Sequence, residues 1–242
     1  MTLKDAIREN FDDSVDAYDA YEARTARFRT LARLLWAEME RIADAVPAAA
    51  LDAGAGSGAS TRVVAERADS VVALDASREM LRANDAAARV QSDFDHLPFA
   101  DAAFDAVAFT ASLFLVPDPT VAAREARRVC RPGGVVGAVA PLGWVDADGR
   151  DAFARLDRDS RSPVGADTVE AALAESVTVE TGTWRFATTA TDIARFHTIP
   201  AMAARLYPKS SPEERVRKAG ELLDTLDGTF EQRWRWIVGV VE

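Results

Sequence analysis

Cysteine and histidine are nearly missing: Cys130 stands alone among 242 residues, and His96 and His197 are the only histidines. One cysteine forms no internal disulfide. Neither a cysteine cluster for zinc nor a histidine-rich metal site can be assembled, so no metal is expected. No apolar run approaches the roughly 20 residues of a membrane span. The opening Met1-Thr2-Leu3-Lys4-Asp5 lacks the basic-then-apolar order of a secretory signal. A cytoplasmic protein with no membrane span is the expectation. Lysine is scarce too, with only Lys4, Lys209 and Lys218 against many arginines. The net charge of −10 opposes the phosphate backbone of a duplex, so no nucleic-acid partner is expected. An acidic, lysine-poor surface suits a protein kept soluble in high salt. A GC-rich genome, favouring Ala, Arg, Asp and Val, produces the same bias; salt adaptation is the expectation carried forward. Repeats and low-complexity linkers are also absent, and 48% hydrophobic residues suffice for one sizeable core.

What is present is organised around Leu51-Asp52-Ala53-Gly54-Ala55-Gly56-Ser57-Gly58. Small residues precede it and an amphipathic run, Ala59 to Ala68, follows, which reads as buried strand, glycine turn and helix start. Gly54, Gly56 and Gly58 lack a Cβ and let the backbone turn sharply and approach a ligand. The helix points unpaired N–H groups and a positive dipole end into the same crevice. Nucleotide-like cofactors sit at such a loop after the first strand of an open α/β sheet. The spacing, G-x-G-x-G, meets the dinucleotide fingerprint only in part.

Along the chain, residues 1–46 read as a helical cap, with Phe28, Leu31, Leu35, Met39, Ile42 and Val46 on one apolar face. Upstream, Phe11, Val15, Tyr18 and Tyr21 read either as packing against the sheet or as a lid in which Tyr21 or Arg24 closes over the cofactor. Residues 47–141 alternate strand and helix. Ser70–Asp75 is a strand, Ser77 caps a helix through Ala87, and Arg89–Gln91 and Phe104–Thr110 are strands. Asp118 caps a helix that Pro132-Gly133-Gly134 stops, and Val135–Val139 is the fifth strand. In 142–242, Asp151–Asp159 and Val169–Ala174 look helical, and Ser176–Ala187 alternates as a strand or hairpin. Residues 190–227 read as helices interrupted at Pro200, Pro208 and Pro212; Thr229–Val241 is a last strand. The pattern is α/β, a doubly wound, mostly parallel sheet with helices on both faces, in a single domain.

Acids fall at successive strand ends. Asp75 lies 17 residues after Gly58, near the ~20 expected of a carboxylate that accepts ribose hydroxyls. Asp93 is placed to accept from an adenine amino group, with Met80 and Phe94 offering apolar faces to the ring. Asp52, at the mouth of the loop, would repel a pyrophosphate but suits the ammonium of a methionine moiety.

The runs LDAGAGSG, VVALDAS, SDFDHLPFADAAFDAVAF and EARRVCRPGGVV resemble, in order, the class I S-adenosylmethionine-dependent methyltransferases, over about residues 48–140. The most similar branch is the methyltransferase type 11 group that holds the quinone-biosynthesis C-methyltransferases. The resemblance implies a seven-stranded Rossmann-like sheet with an antiparallel seventh strand and a helical insertion, about 190–227, roofing an acceptor site. It implies S-adenosyl-L-methionine as cofactor, leaving S-adenosyl-L-homocysteine, and a small-molecule methyl acceptor. Gly54, Gly56 and Gly58 would approach the cofactor, Asp75 would bind ribose, and Asp93 with Phe94 the adenine. Thr110 would lie beside the methionine part, and Asp52, Ala53, Ala76, Met80 and Tyr21 complete the set. Thr110-Ala111-Ser112-Leu113-Phe114-Leu115 departs from the asparagine-bearing segment of the quinone enzymes, so a quinone acceptor is not implied.

The reaction would be an in-line displacement in which alignment, worth roughly 7–11 kcal/mol, outweighs a general base, worth about 10²–10⁴-fold. His197, in the insertion, and His96, after the adenine loop, are the candidate bases. Phe114, Trp144 and Phe196 read first as core packing and second as the lining of an acceptor pocket. A short-chain NAD(P) oxidoreductase would need Tyr-x-x-x-Lys, but Tyr18, Tyr21 and Tyr207 are followed at that spacing by Glu22, Thr25 and Ser211. A non-catalytic S-adenosylmethionine-binding protein would carry the same motifs.

Overall fold

The computed structural model describes residues 2–43, 46–154, 156 and 164–242. The chain opens with helices α1 (Leu3–Asp12), α2 (Val15–Thr25) and α3 (Arg27–Ala43). Thr2 and Asp5 satisfy each other's backbone N–H groups in a capping box that starts α1. Ala26, at φ 48°, ends α2 in a left-handed turn and swings α3 away from it. Leu31, Leu35 and Met39 bury the apolar face of α3, with Phe28 and Ile42 partly buried beside them. Val46 does not join this face: α3 ends at Ala43 and Val46 is 66% exposed.

Strand and helix then alternate through β1 (Ala49–Ala53), α4 (Ala59–Ala65), β2 (Ser70–Asp75), α5 (Arg78–Ala83) and β3 (Ala88–Gln91). They continue through β4 (Phe104–Phe109), α6 (Pro119–Val129) and β5 (Cys130–Val145). Side-chain caps set the helix starts: Ser77 Oγ accepts from the Met80 N–H at 3.1 Å, and Asp118 from the Thr120 N–H at 2.9 Å. The remainder is α7 (Ala166–Ala174), β6 (Thr178–Thr189), α8 (Ala190–His197), α9 (Pro200–Leu206), α10 (Pro212–Leu223) and β7 (Thr229–Val240). Pro200 and Pro212 start α9 and α10, where the missing N–H costs nothing.

The seven strands form one sheet in the order β3-β2-β1-β4-β5-β7-β6. The first five are parallel and β7 lies antiparallel between β5 and β6. Helices cover both faces, α3 with α4 as one group and α6 with α7 as another. The helices α8–α10 are inserted between β6 and β7, as the resemblance implied. They build a second core with Tyr21, Trp144 and Phe230. Among the described residues, no helix is long and apolar enough to cross a membrane.

Two expectations need correction. The fifth strand does not start at Val135: Gly133 N–H donates to Val241 O at 2.8 Å and Val241 N–H to Gly134 O at 2.9 Å. The Pro-Gly-Gly segment is therefore paired with the end of the chain, and β5 runs on past Pro141 through a register shift to Val145. Where a helix was expected over Asp151–Asp159, the described residues 151–154 form instead a β-bridge from Asp151 to Val145 and a turn through Ala154. Asp151 Oδ1 accepts from the Phe153 N–H at 2.9 Å and favours that turn over a helix. Residues 155 and 157–163 lie outside the described residues.

Candidate functional site

At the carboxyl end of β1 the chain turns through Gly54, Gly56 and Gly58 at φ +80°, +52° and +100°. All three lie in the left-handed region that only glycine enters freely. A Cβ on Gly54 would stand 2.3 Å from Ser112 Cβ, so the loop lies hard against the segment after β4. On Gly56 a Cβ would meet only Met80 Sδ at 4.0 Å, which leaves the loop open to a ligand there.

Four N–H groups of the loop are committed. Gly54 and Ala55 both donate to Leu74 O, at 2.7 and 3.0 Å, and Gly58 donates to Ala55 O at 3.0 Å. Gly56 N–H donates to Asp75 Oδ2 at 2.8 Å, while Ser77 N–H donates to Asp75 Oδ1 at 2.8 Å. A phosphate cradle needs such N–H groups free and aimed at the anion, and these four are taken up within the protein. The Asp75 carboxylate thus stands fixed at the cleft with lone pairs to spare for hydroxyl donors. Burial raises its pKa above the usual carboxylate value, and the two N–H bonds pull it back.

Asp52 and Ala53 lie beneath the loop, outside the cleft lining. Asp52 is fully buried, and its Oδ2 accepts from Ser60 Oγ and Thr61 Oγ1, both at 2.7 Å. Its Oδ1 has no partner. Ala53 O accepts from Ser112 Oγ at 2.6 Å. Gly58 is also outside the lining, at the start of α4. Burial raises the Asp52 carboxyl to about 6 against the opposing hydroxyl bonds. Between about pH 4 and 6 the folded chain keeps a proton there that the unfolded chain has shed. Stability should therefore fall as pH rises through that window and level off above it. The displacement is worth roughly 3 kcal/mol. Urea unfolding from pH 4 to 7 should show Asp52→Asn losing less stability than the wild type, by up to that amount.

The cleft above the loop is lined by Gly54, Gly56, Asp75, Ala76, Met80, Asp93, Phe94 and Thr110 among others, which brings most of the sequence-selected residues together. Phe94 meets Phe109 edge-on at 5.2 Å. The cap forms its roof. Lys4 pairs with Asp93, at 3.2 Å, and with Asp95. Asp12 accepts from Ser77 Oγ at 2.6 Å, and Asp19 from Ser57 Oγ at 2.5 Å. From the other side Ala201 N–H donates to Ser14 Oγ at 2.9 Å, and Arg215 Nη1 to Asn10 Oδ1 at 3.1 Å, so the insertion grips the cap.

Phe11 and Tyr18 line the cleft and Tyr21 does not. Tyr21 is buried against Phe28 and Phe196, and Arg24 pairs with Asp192 of α8 at 2.8 Å. Ala111 and Ser112 were not singled out for the cleft, yet both line it. Ala111 sits at φ 59°, a strained conformation for a residue with a Cβ. Nothing in the residue type signals it.

His96 is exposed and lines neither cavity. His197 lines a second cavity, between the ends of β5 and β7 and helices α8 and α9, together with Phe114, Trp144 and Phe196. Among the described residues, no group of His, Cys, Asp and Glu could hold a metal ion.

Residues 51–137 match the family described as Methyltransferase domain. The demethylmenaquinone methyltransferase of Corynebacterium urealyticum is 36% identical over 135 residues, 55% of either chain. The tRNA 5-carboxymethoxyuridine methyltransferase of Escherichia coli K12 is 29% identical over 141 residues, 52% of this chain and 54% of that one. The chain thus spans about half the length of these curated relatives. An S-adenosylmethionine-dependent methyltransferase from Thermotoga maritima superposes over 98% of this chain and 100% of its own, with a TM-score of 0.57 and 14% identity. That likeness establishes the fold.

Proposed function

Because residues 51–137 place the chain in the class I S-adenosylmethionine-dependent methyltransferase family, we propose that the protein methylates a small-molecule acceptor. The observation that carries this reading is the Asp75 carboxylate, held at the cleft by the Gly56 and Ser77 N–H groups. The Gly54, Ala55, Gly56 and Gly58 N–H groups are all donated within the protein, so the turn offers none of these four to a pyrophosphate. The cleft lining carries Asp75, Asp93 and Asp95 against Lys4 and Arg8, a small acidic excess that suits a cationic ligand. Open space at Gly56 and the fixed Asp75 carboxylate fit the adenosine end of S-adenosylmethionine.

The bound cofactor supplies a methyl on a sulfonium, so that transfer breaks one C–S bond, makes a bond to the acceptor and leaves a neutral thioether while the acceptor sheds a proton. Asp75 accepts from the ribose hydroxyls, and Asp93 from the adenine amino group, between Met80 and Phe94. Gly54, Gly56, Ala76 and Thr110 shape the cleft at backbone distance. Asp52, Ala53 and Gly58 position the loop from below. Tyr21 holds the cap against the insertion. The roof of α1 and α2 excludes water, which strengthens every charge interaction beneath it. His197 is the histidine placed near an acceptor to take up the proton.

An RNA acceptor, the substrate printed in the name of the Escherichia coli relative, is disfavoured by the net charge of −10. Calorimetric titration with S-adenosylmethionine and with NAD tests the reading. Micromolar binding of the first with silence from the second is expected. Tight NAD binding without a response to S-adenosylmethionine would overturn it.

A further inference from the structure

The second cavity is about 290 Å³, at the lower end of the roughly 300–1,000 Å³ typical of small-molecule sites. Five rings stand in its wall, those of Phe114, Trp144, Phe153, Phe196 and Trp234. They already pack ring against ring, Trp144 with Phe196 at 5.9 Å and Phe114 with Trp234 at 6.3 Å. Two polar atoms of this wall are left over. Gln232 Oε1 and Trp234 Nε1 are buried without hydrogen-bond partners, on side chains 2% and 1% exposed. Buried polar atoms are nearly always paired, and an orphan in a cavity wall marks a place where a ligand group completes the bonding. One atom accepts and the other donates, and they stand two residues apart on β7, on the same side of the strand.

The cavity adjoins the cofactor cleft. Phe114 of its wall is followed directly by Leu115 and Val116 of the cleft, and Phe28 of the cleft meets Phe196 at 6.4 Å. Arg205, which lines the cavity, lies over the Phe114 ring at 5.4 Å.

We propose that this cavity takes the methyl acceptor and that the acceptor is a flat aromatic compound bearing a hydroxyl group. The inference rests on the methyltransferase reading. A ring fills the aromatic box, where an edge or face always finds a complementary surface. A hydroxyl both donates and accepts, so it satisfies Gln232 and Trp234 together, which a bare ring or a simple ether does not.

The test uses the full chain saturated with S-adenosylhomocysteine and three probes: 2-naphthol, naphthalene and decahydro-2-naphthol. Binding is followed by calorimetry and by tryptophan fluorescence, since Trp144 and Trp234 stand in the wall. The expected result is 2-naphthol binding at least tenfold tighter than either other probe, with quenching. Gln232→Leu should erase the advantage over naphthalene, and Met202→Trp, which fills the cavity, should block all three. Neither variant should change the affinity for S-adenosylhomocysteine. If S-adenosylhomocysteine binds but 2-naphthol shows no advantage, or keeps it in Gln232→Leu, the acceptor inference falls and the methyltransferase reading stands. If S-adenosylhomocysteine itself does not bind, both fall.

Discussion

Asp75→Ala is expected to weaken S-adenosylhomocysteine binding at least a hundredfold, read by calorimetry. Each hydrogen bond to a charged partner is worth about 1.5–3 kcal/mol, and 1.4 kcal/mol is a factor of ten. Two ribose hydroxyls lost together therefore span about 10²–10⁴. The side chain also holds the Gly56 and Ser77 N–H groups at 2.8 Å, so the alanine variant loosens the loop as well as stripping the acceptor. Asp75→Asn separates the two effects, because its amide oxygen keeps one of those N–H bonds while the charge is gone. An intermediate affinity for the asparagine variant, with a melting temperature near the wild type, is the expected result. Equal affinity in all three proteins would remove Asp75 from the site.

Gly54→Ala should lower the stability of the protein itself. The new Cβ meets Ser112 Cβ at 2.3 Å and Phe94 Cζ at 3.1 Å, at a φ of +80°. Left-handed backbone costs a residue with a Cβ about 1–2 kcal/mol, and overpacking adds about 1–3 kcal/mol. A loss of roughly 2–5 kcal/mol follows, measurable in urea. Gly56→Ala makes the instructive contrast. Its Cβ finds only Met80 Sδ at 4.0 Å, so the fold pays only the backbone term while ligand binding suffers from a methyl in the open part of the loop. The pair should split, Gly54→Ala failing mainly in stability and Gly56→Ala mainly in binding.

The elements that sequence reading placed well are those whose ends are written in local chemistry. Ser77 and Asp118 cap α5 and α6 through their own side chains, and β2 ends at Asp75 as expected. The sequence misleads where a distant partner decides. Pro132-Gly133-Gly134 reads as a stop, but Val241, more than a hundred residues on, pairs with it and makes it strand. The aromatics of α2 recur along one stretch, yet which of them faces the cleft depends on the left-handed turn at Ala26 and on the insertion packing behind Tyr21. Tyr18 consequently lines the cleft where Tyr21 was expected. Asp52 was legible as an acid at the loop, but its burial on the Ser60 and Thr61 hydroxyls was not. The second cavity depends on β7 coming back beside β5, which brings Gln232 opposite Trp144.

The position of β7 also bears on how the chain reaches its fold during synthesis. It follows the other six strands of the sheet off the ribosome, yet it belongs inside the sheet, hydrogen-bonded to β5 and β6 on its two sides. Until it arrives, a nascent chain can pair β1 to β5 but must hold β5, buried from Gly134 to Ala140, as a bare edge. Such an edge is a template for pairing with another chain. The interval while α8 to α10 are being made is therefore the one in which this protein is most open to aggregation and most in need of a chaperone.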